Sequence, residues 1–192
     1  MPDPTVIKAA DGYFYVYATE STRNVPIMKS KDLVEWTYCN TAFTNKTRPR
    51  FEPKAGIWAP DINYINGKYV LYYAMSVWGG EQTCGIGVAT ANSPQGPFTD
   101  HGKMFRSNEI GVQNSIDPSL LQYEGRNYLV WGSFRGIYVI ELTADGLSIM
   151  SGAKKKRIAG TAFEAVYIHK HGDYYYMSVS YTHLRAHETE AD

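Results

Sequence analysis

The sequence predicts an all-β fold built as a β-propeller, because strand-forming runs recur at long intervals and helical patterns are nearly absent. Four runs rich in Tyr, Phe and Val each follow a turn glycine, at Gly12, Gly67, Gly125 and Gly172. A turn glycine between two such runs is typical of a β-hairpin. The spacings of 55, 58 and 47 residues between these glycines are typical of propeller blades. Sandwiches and lipocalin-like barrels instead place turns about every 8–12 residues.

The strands can be assigned in order from their composition. In each unit a first strand opens near an acidic residue, and the aromatic run after the glycine supplies a second, over residues 13–19, 68–74, 127–132 and 173–179. Residues 27–30, 85–90 and 137–142 supply third strands, and loops such as 93–97 separate the units. We therefore expect residues 1–180 to form a partial propeller of about three to three and a half blades.

The end of the chain differs from everything before it. Residues 181–192 show neither a period-two pattern nor an apolar face, so we expect a disordered or artefactual tail there. His183 and His187 have the i, i+4 spacing of metal ligands on a helix. Glu188 follows the pair instead of lying inside it, unlike the glutamate of a zinc-protease helix.

Composition and charge exclude several function classes. Lys and Arg total 19, as do Asp and Glu, so the net charge is +0 and no global field attracts nucleic acid or an acidic membrane. The basic run 154–157 is therefore expected to be a solvated loop. Cys39 and Cys84 make neither a disulfide framework nor a zinc pattern. The sequence shows no apolar run that could span a membrane and no signal-peptide pattern after Met1.

An acidic residue opens the first strand of each unit. Asp3, Asp117 and Glu164 lie nine, eight and eight residues before their turn glycines. Because the innermost strands of a propeller surround one channel, equivalent positions on different blades converge at its mouth. Any one of these acids could equally open a turn, but three in phase favour a site. Asp61 lies six residues before its turn glycine, unlike the other three acids. It is therefore predicted to be structural or to contact the catalytic acids without contacting the substrate. The prolines after Asp3 and Asp117 predict extended backbone at both aspartates.

Three convergent carboxyl groups suit glycoside hydrolysis. One carboxyl group protonates the leaving oxygen, and a second activates water or attacks the anomeric carbon. A third negative charge nearby raises the pKa of the acid and keeps it protonated. The open channel mouth leaves room for a water molecule and so favours inversion, in which the two groups are roughly 6.5–9.5 Å apart.

Four short motifs, occurring in order, resemble glycoside hydrolase family 43. They are Asp3-Pro4-Thr5, Trp58-Ala59-Pro60-Asp61-Ile62, Ile116-Asp117-Pro118-Ser119 and Phe163-Glu164-Ala165. Within the family, residues 130–134 and 138–142 are most similar to the endo-arabinanases, and the resemblance covers residues 2–180. It implies a five-bladed propeller of inverting enzymes. By the same resemblance Asp3 is the general base, Asp117 tunes the pKa of the acid and orients it, and Glu164 is the general acid.

The resemblance also implies a substrate and a setting. The substrate is α-1,5-linked L-arabinan, cleaved by endo action in plant polysaccharide breakdown, with arabinofuranosides or xylosides as alternatives. No cofactor is required, although the full-length family often holds calcium through a histidine of a late blade that this chain lacks. The implied enzyme is secreted or periplasmic, monomeric when complete, and without nucleic-acid or membrane partners. Without its last blades the chain is expected to be marginally stable and inactive, because an open sheet edge and apolar blade faces are exposed.

Side chains near the motifs are candidates for sugar binding. Aromatic rings can stack on sugar rings, and hydroxyl and amide groups can hydrogen-bond to sugar hydroxyls. The stacking candidates are Trp58, Trp78 and Phe134, and the hydrogen-bonding candidates are Asn114, Ser115 and Ser133. Packing inside a blade is an equal alternative for Trp58 and the preferred interpretation of Trp131.

Three other functions are compatible with a propeller. A non-catalytic propeller would bind carbohydrate in the same cleft without cleaving it. A retaining fructan-type hydrolase needs a nucleophile about 5–5.5 Å from the acid. It is also expected to begin with an Asn-Asp-Pro-Asn-like motif, which residues 2–5 do not match. A protein-interaction propeller would show WD or kelch signatures, and the sequence has none.

Overall fold

The computed structural model describes residues 1–180, and these are organised almost entirely as β-strands. The strands form four antiparallel sheets that follow one another along the chain. Sheet 1 contains β1 (Thr5–Lys8), β2 (Phe14–Tyr17), β3 (Pro26–Ser30) and β4 (Thr37–Thr41). Sheet 2 contains β5 (Gly56–Ile65), β6 (Lys68–Ser76), β7 (Gly85–Ala91) and β8 (Thr99–Arg106). Sheet 3 contains β9 (Ser119–Tyr123), β10 (Arg126–Trp131), β11 (Ile137–Glu141) and β12 (Lys156–Ala159). Sheet 4 contains β13 (Glu164–His171) and β14 (Tyr174–Ser180), and the single helix within residues 1–180 is α1 (Ser107–Ile110).

The first strand of every sheet lies at the centre of the molecule. Residues of β1, β5, β9 and β13 together line one channel of about 570 Å³. Within sheets 1 and 2 the strands pair in chain order, and in sheet 3 the same order runs outward from β9 to β12. Sheets arranged radially around a channel, with their first strands innermost, are what propeller blades require. The all-β prediction is confirmed, and the number of blades in a closed ring stays a prediction.

The core lies between neighbouring sheets. One apolar cluster joins sheets 1 and 2 and includes Tyr17, Ile27 and Tyr73. A second joins sheets 2 and 3 and includes Leu129 and Trp131. The indole of Trp131 is fully buried, so the interpretation of this residue as packing inside a blade is confirmed. Since both faces of sheet 2 are covered, β6 is an almost unbroken run of buried residues, as expected of a strand packed on both sides.

The outermost strands are where sequence and structure differ most. Strands β4, β8 and β12 have polar, largely exposed sequences, which give no strand signal but are typical of protected sheet edges. Lys156 and Arg157 belong to β12, so the prediction of a loop over 154–157 is wrong in part, although both side chains are exposed as expected.

Two further points concern membrane helices and the end of the chain. No helix within residues 1–180 is long and apolar enough to cross a membrane. The predicted tail, with His183 and His187, lies outside the described residues.

Candidate active site

The innermost strands share an unusual backbone feature, which precedes β1 and β9 and lies at a bulge inside β5 and β13. Asp3, Ala59, Asp117 and Ala165 all have left-handed backbone conformations, with φ of 46°, 40°, 57° and 52°. Counting back from the last paired residue before each hairpin, Ala59, Asp117 and Ala165 occupy the same position, six residues back, and Asp3 lies five residues back. At this left-handed position sheets 1 and 3 have an aspartate and sheets 2 and 4 have an alanine.

This register corrects two sequence-based expectations. The extended backbone predicted for Asp3 and Asp117 is wrong, because both adopt the left-handed region that aspartate tolerates better than most side chains. Glu164 lies one residue ahead of the equivalent Ala165, so the three acids are not in a single phase. A change of one residue at the entry to a strand redirects a side chain, which allows Glu164 to reach the same space from a different backbone position.

The three predicted carboxylates nevertheless line one cleft of about 540 Å³. Asp3 comes from sheet 1, Asp117 from the residue pair before β9, and Glu164 from the first residue of β13. The cleft opens at the end of the channel where the innermost strands begin. The convergence predicted from the repeat is therefore present in the fold.

Asp3 is exposed and is held by a hydroxyl group. The Thr19 hydroxyl donates a hydrogen bond to Asp3 Oδ2 at 2.6 Å, and the backbone N–H of Ala59 donates to Thr19 Oγ1 at 2.7 Å. Because the amide occupies an acceptor position of Thr19, the single hydroxyl proton is directed at the carboxylate. Thr19 thus ties Asp3 of sheet 1 to the start of sheet 2 while leaving the carboxylate open to solvent.

Asp117 is the carboxyl group most affected by its surroundings. Burial raises its pKa to about 7, and the negative charges of Glu164 and then Asp3 act in the same direction. The backbone N–H of Ala165, which donates to Asp117 Oδ2 at 3.2 Å, opposes the shift. The acid cluster therefore retains a proton close to neutral pH.

Glu164 is half-buried and also accepts a hydrogen bond from a hydroxyl. Ser133 Oγ donates to Glu164 Oε2 at 3.0 Å, and the serine side chain is buried. Ser133 was predicted to contact sugar hydroxyls. Ser133 lines the cleft, and its single hydroxyl proton is used by Glu164, so towards a sugar hydroxyl it can act only as an acceptor.

Asp61 has the structural role that its sequence phase predicted. Its carboxylate is buried in the channel behind the cleft, where Oδ2 accepts hydrogen bonds at 2.7 Å from both Leu120 N and Asn63 Nδ2. The Thr5 hydroxyl approaches Oδ1 at 3.4 Å. Burial raises the pKa of Asp61 to about 6 in spite of these contacts. One carboxyl group therefore links the innermost strands of sheets 1, 2 and 3.

Two tryptophans form one wall of the cleft. The rings of Trp58 and Trp78 lie 5.6 Å apart at an angle of 53°, and Trp78 is 95% exposed. Trp58 also packs against the apolar cluster that contains Ile116, so one ring combines packing with a place on the cleft wall. Gly56 leaves the space that its ring occupies, since a Cβ at residue 56 would fall 2.4 Å from Trp58 Nε1. Exposed, fixed aromatic faces are suited to stacking on sugar rings.

The remaining predicted binding residues divide into two groups. Asn114 and Phe134 line the cleft, and Asn114 Nδ2 donates to the Ser133 carbonyl at 3.1 Å. The prediction for Ser115 is wrong, because this residue is fully buried away from the cleft. Its hydroxyl donates to Val112 O at 2.8 Å and accepts from Trp131 Nε1 at 3.1 Å, so it fixes the loop that carries Asn114.

The polar rim of the cleft was not predicted from the sequence. Glu81 accepts a hydrogen bond from Gln113 Nε2 at 2.7 Å and pairs with Arg135 Nη2 at 2.9 Å. These residues lie in three separate loops and only Glu81 lines the cleft directly. Neither they nor Thr19 belong to a repeated pattern, so no local signal could have found them.

The described part of the chain was searched for side chains that could bind a metal ion together. Within residues 1–180 no group of three or more His, Cys, Asp or Glu side chains is placed to hold an ion.

Comparison with known proteins agrees with this geometry. A family model for glycosyl hydrolases family 43 matches residues 1–191. The chain is 35% identical over 192 residues to the extracellular endo-α-(1→5)-L-arabinanase 1 of Bacillus subtilis. It is 33% identical over 187 residues to the probable arabinan endo-1,5-α-L-arabinosidase C of Aspergillus niger. Both alignments cover 93% of this chain and 58% of the relative, so the chain spans a little over half the length of these curated relatives.

Solved structures show the same similarity. The native arabinanase of Bacillus subtilis superposes with a TM-score of 0.81 at 33% identity, covering 94% of this chain and 66% of that one. The α-L-arabinanase of Cellvibrio cellulosa in complex with arabinohexaose superposes with a TM-score of 0.82 at 27% identity, covering 94% and 64%. The family match extends over almost the whole chain, and the chain therefore belongs to the glycosyl hydrolases of family 43.

Proposed function

We propose that this chain carries the catalytic cleft of an inverting glycoside hydrolase that cleaves α-1,5-linked L-arabinan. The observation that carries the proposal is the convergence of Asp3, Asp117 and Glu164 on one cleft. Their environments differ, since Asp3 is exposed whereas Asp117 is shielded and has a raised pKa. Carboxyl groups that are driven to different protonation states are what acid–base catalysis at a glycosidic bond requires.

In this mechanism Asp3 is the general base. Its carboxylate is open to solvent, and the Thr19 hydroxyl fixes one of its oxygens, so the other oxygen can accept a proton from an attacking water. A base that is oriented before the reaction needs no rearrangement in the transition state.

Glu164 is the general acid, and Asp117 supports it. Ser133 orients the Glu164 carboxyl group, while burial and the neighbouring charges of Glu164 and Asp3 raise the pKa of Asp117 to about 7, so the acid cluster holds a proton close to neutral pH. That proton is delivered to the leaving glycosidic oxygen. Asp117 also fixes the start of β13 by accepting from Ala165 N, which keeps Glu164 in the cleft.

The choice of arabinan rests on the relatives. Those described above are named as arabinan-cleaving enzymes, and one was solved with arabinohexaose. An exo-1,5-α-L-arabinanase from a bovine ruminal metagenomic library is also similar, at 32% identity and a TM-score of 0.79. Exo cleavage of the same linkage is therefore the second candidate, and arabinofuranosides and xylosides are less favoured substrates.

The complete protein, in this proposal, is a five-bladed propeller. Residues 1–180 supply three full blades and the first two strands of a fourth, and the relatives are longer. We further propose that the complete enzyme is monomeric and secreted, in keeping with the extracellular relative, and that catalysis requires no cofactor.

The test is hydrolysis of debranched arabinan and of xylan. We would assay the chain as it stands, and also an extended enzyme in which Ser180 is followed by the part of the Bacillus subtilis relative that this chain does not cover. The extended enzyme is expected to release arabino-oligosaccharides from arabinan, and the anomer first formed, followed by NMR, is expected to be inverted. A retained anomer or preferential cleavage of xylan would contradict the proposal.

The role of Glu164 is tested by Glu164→Gln. Removing the general acid is expected to lower kcat by about 10²- to 10⁴-fold. Glu35→Gln is the matched control, because Glu35 is an exposed residue outside the cleft. Equal activity in the two variants would exclude Glu164 as the acid. Binding of arabinan without hydrolysis by the unsubstituted extended enzyme would instead favour a carbohydrate-binding propeller.

A further inference from the structure

A second pocket, of about 420 Å³, lies beside the catalytic cleft. The two cavities open at the same end of the strands, because their lining residues adjoin along the chain. Arg23, in the pocket, follows Thr19 of the cleft in the β2–β3 loop, and Met75 of the pocket precedes Ser76 of the cleft at the end of β6.

The lining of this pocket is strongly basic in a chain of zero net charge. Four cationic side chains and one acidic side chain contribute to it; they are Arg23, Arg48, Arg50, Lys54 and Glu52. Such a local excess of one sign in a concave site concentrates ions of the opposite sign.

Two of these charges are neutralised by the fold. The buried Arg48 forms an ion pair with Glu20, with Nη2 and Oε2 3.0 Å apart, and Nη2 also donates to Ala55 O at 2.8 Å. Glu52 is paired with Arg106 and accepts from the Thr83 hydroxyl. Arg48 is therefore a structural cation, and Glu52 does not neutralise the pocket.

The other three cations have no acidic partner. Arg23, Arg50 and Lys54 are exposed and form no ion pair within residues 1–180. Arg50 uses one N–H, donating from Nη2 to Asn45 O at 3.0 Å, which leaves most of its guanidinium edge available. Pro49 and Pro53 restrict the backbone of this loop, so the cations are presented by a stiffened segment.

We propose that this pocket binds carboxylate groups of a uronic-acid-containing glycan. A guanidinium group matches a carboxylate with two parallel hydrogen bonds, and a lysine next to it adds a third donor and a further charge. The pocket adjoins a cleft whose exposed aromatic wall suits a neutral sugar chain. A polysaccharide that carries both neutral and acidic residues can therefore occupy the two sites at once. Phosphate groups are the alternative anionic ligands, and the experiment below includes inorganic phosphate as a competitor to distinguish them from carboxylates.

The test measures binding of an oligomer of galacturonic acid, about six residues long so that it can reach several cations. Titration calorimetry is carried out on the chain and on Arg50→Gln/Lys54→Gln. The substitutions are expected to weaken binding at least about tenfold, and raising the salt concentration to weaken binding to the unsubstituted chain. The control Lys46→Gln/Lys154→Gln removes two exposed cations outside the pocket and is expected to change binding less than about twofold.

Three ligand controls complete the experiment. A carboxyl-reduced oligomer is expected to bind the unsubstituted chain and the Arg50→Gln/Lys54→Gln variant with the same affinity. Monomeric galacturonate is expected to bind more weakly than the oligomer, which separates carboxylates of a glycan from free carboxylates. The proposal is overturned if the two double variants lose affinity for the oligomer equally, or if the carboxyl-reduced oligomer binds as strongly as the unreduced one. It is also overturned if inorganic phosphate competes with the oligomer at concentrations where monomeric galacturonate does not.

Discussion

Sheets 2 and 4 both contribute to the cleft, but they are supported very differently. Sheet 2 is covered by sheet 1 on one face and by sheet 3 on the other, and its central strand β6 is buried almost throughout. Sheet 4 packs one face on sheet 3 through Val166 and neighbouring apolar residues. Its other face exposes large aromatic side chains, which are Tyr167, Tyr174 and Tyr176.

Because of this difference in packing, the tryptophan wall of the cleft and the proposed catalytic acid lie on sheets of unequal stability. Trp58 and Trp78 are carried by the best-supported sheet, whereas Glu164 begins the least-supported one. Exposed apolar area of this kind is costly in water, and a strand edge such as that of β14, which has no pairing strand within residues 1–180, favours association with another chain. We therefore expect the chain to bind sugar more readily than it hydrolyses it, and sheet 4 to open before the rest of the molecule.

The largest effect is expected from removing a buried side chain of sheet 2. Leu71→Ala deletes a fully buried side chain between sheets 1 and 2 and should lower the free energy of unfolding by about 2–5 kcal/mol. Tyr176→Ala, on the exposed face of sheet 4, should change it by less than about 0.5 kcal/mol. Urea denaturation followed by tryptophan fluorescence measures both. Similar losses for the two variants would mean that sheet 4 is as well supported as sheet 2.

An intermediate effect is expected at Asp117, which joins sheet 3 to sheet 4. Its pKa is raised from 3.8 to about 7, so below about pH 4 the residue is protonated in both the folded and the unfolded chain. As the pH rises from 4 to 7 the unfolded chain releases this proton and the folded chain retains it, so Asp117 progressively destabilises the fold. Asp117→Asn should therefore be more stable than the unsubstituted chain at pH 8, by a few kcal/mol at most, and lose that advantage near pH 4.

Urea denaturation at several pH values between 4 and 8 measures this difference. Asp61 also has a raised pKa and destabilises the fold in the same direction. It is present in both proteins, so its contribution cancels in the comparison. A stability difference that is constant with pH would show that Asp117 ionises normally in the folded state.

The smallest effect is expected at Thr19, which fixes Asp3 on the well-supported side of the cleft. Thr19→Val removes the hydroxyl that donates to Asp3 and accepts from Ala59 N. In the extended enzyme kcat should fall about tenfold with little change in KM, because the group orients the base and does not contact the substrate. Thr19→Ser retains the hydroxyl and should restore most of the rate. A loss of the same size in the serine variant would mean that the methyl group, and not the hydrogen bond, is what matters.

Much of this molecule could be read from local sequence. The turn glycines and aromatic runs located the first two strands of each sheet, since hairpin signals are short-range and recur in every unit. The same recurrence identified Asp3, Asp117 and Glu164 as residues that would meet. Composition also assigned the buried position of Trp131. These features depend on chain-local propensities and on a repeat, both of which are present in the amino-acid order itself.

Other features depended on the approach of distant segments. The left-handed backbone at Asp3 and Asp117, the hydroxyl partners Thr19 and Ser133, and the burial that sets the pKa of Asp117 all arise where separate sheets meet. Ser115 and Ser133 could not be distinguished from sugar-binding serines, because a hydroxyl takes its role from whichever group lies opposite it. Sequence thus determined which chemical groups are brought to the cleft. Only the tertiary packing decided how each is oriented and charged, since hydrogen bonding and burial are properties of neighbours that are far apart in the chain.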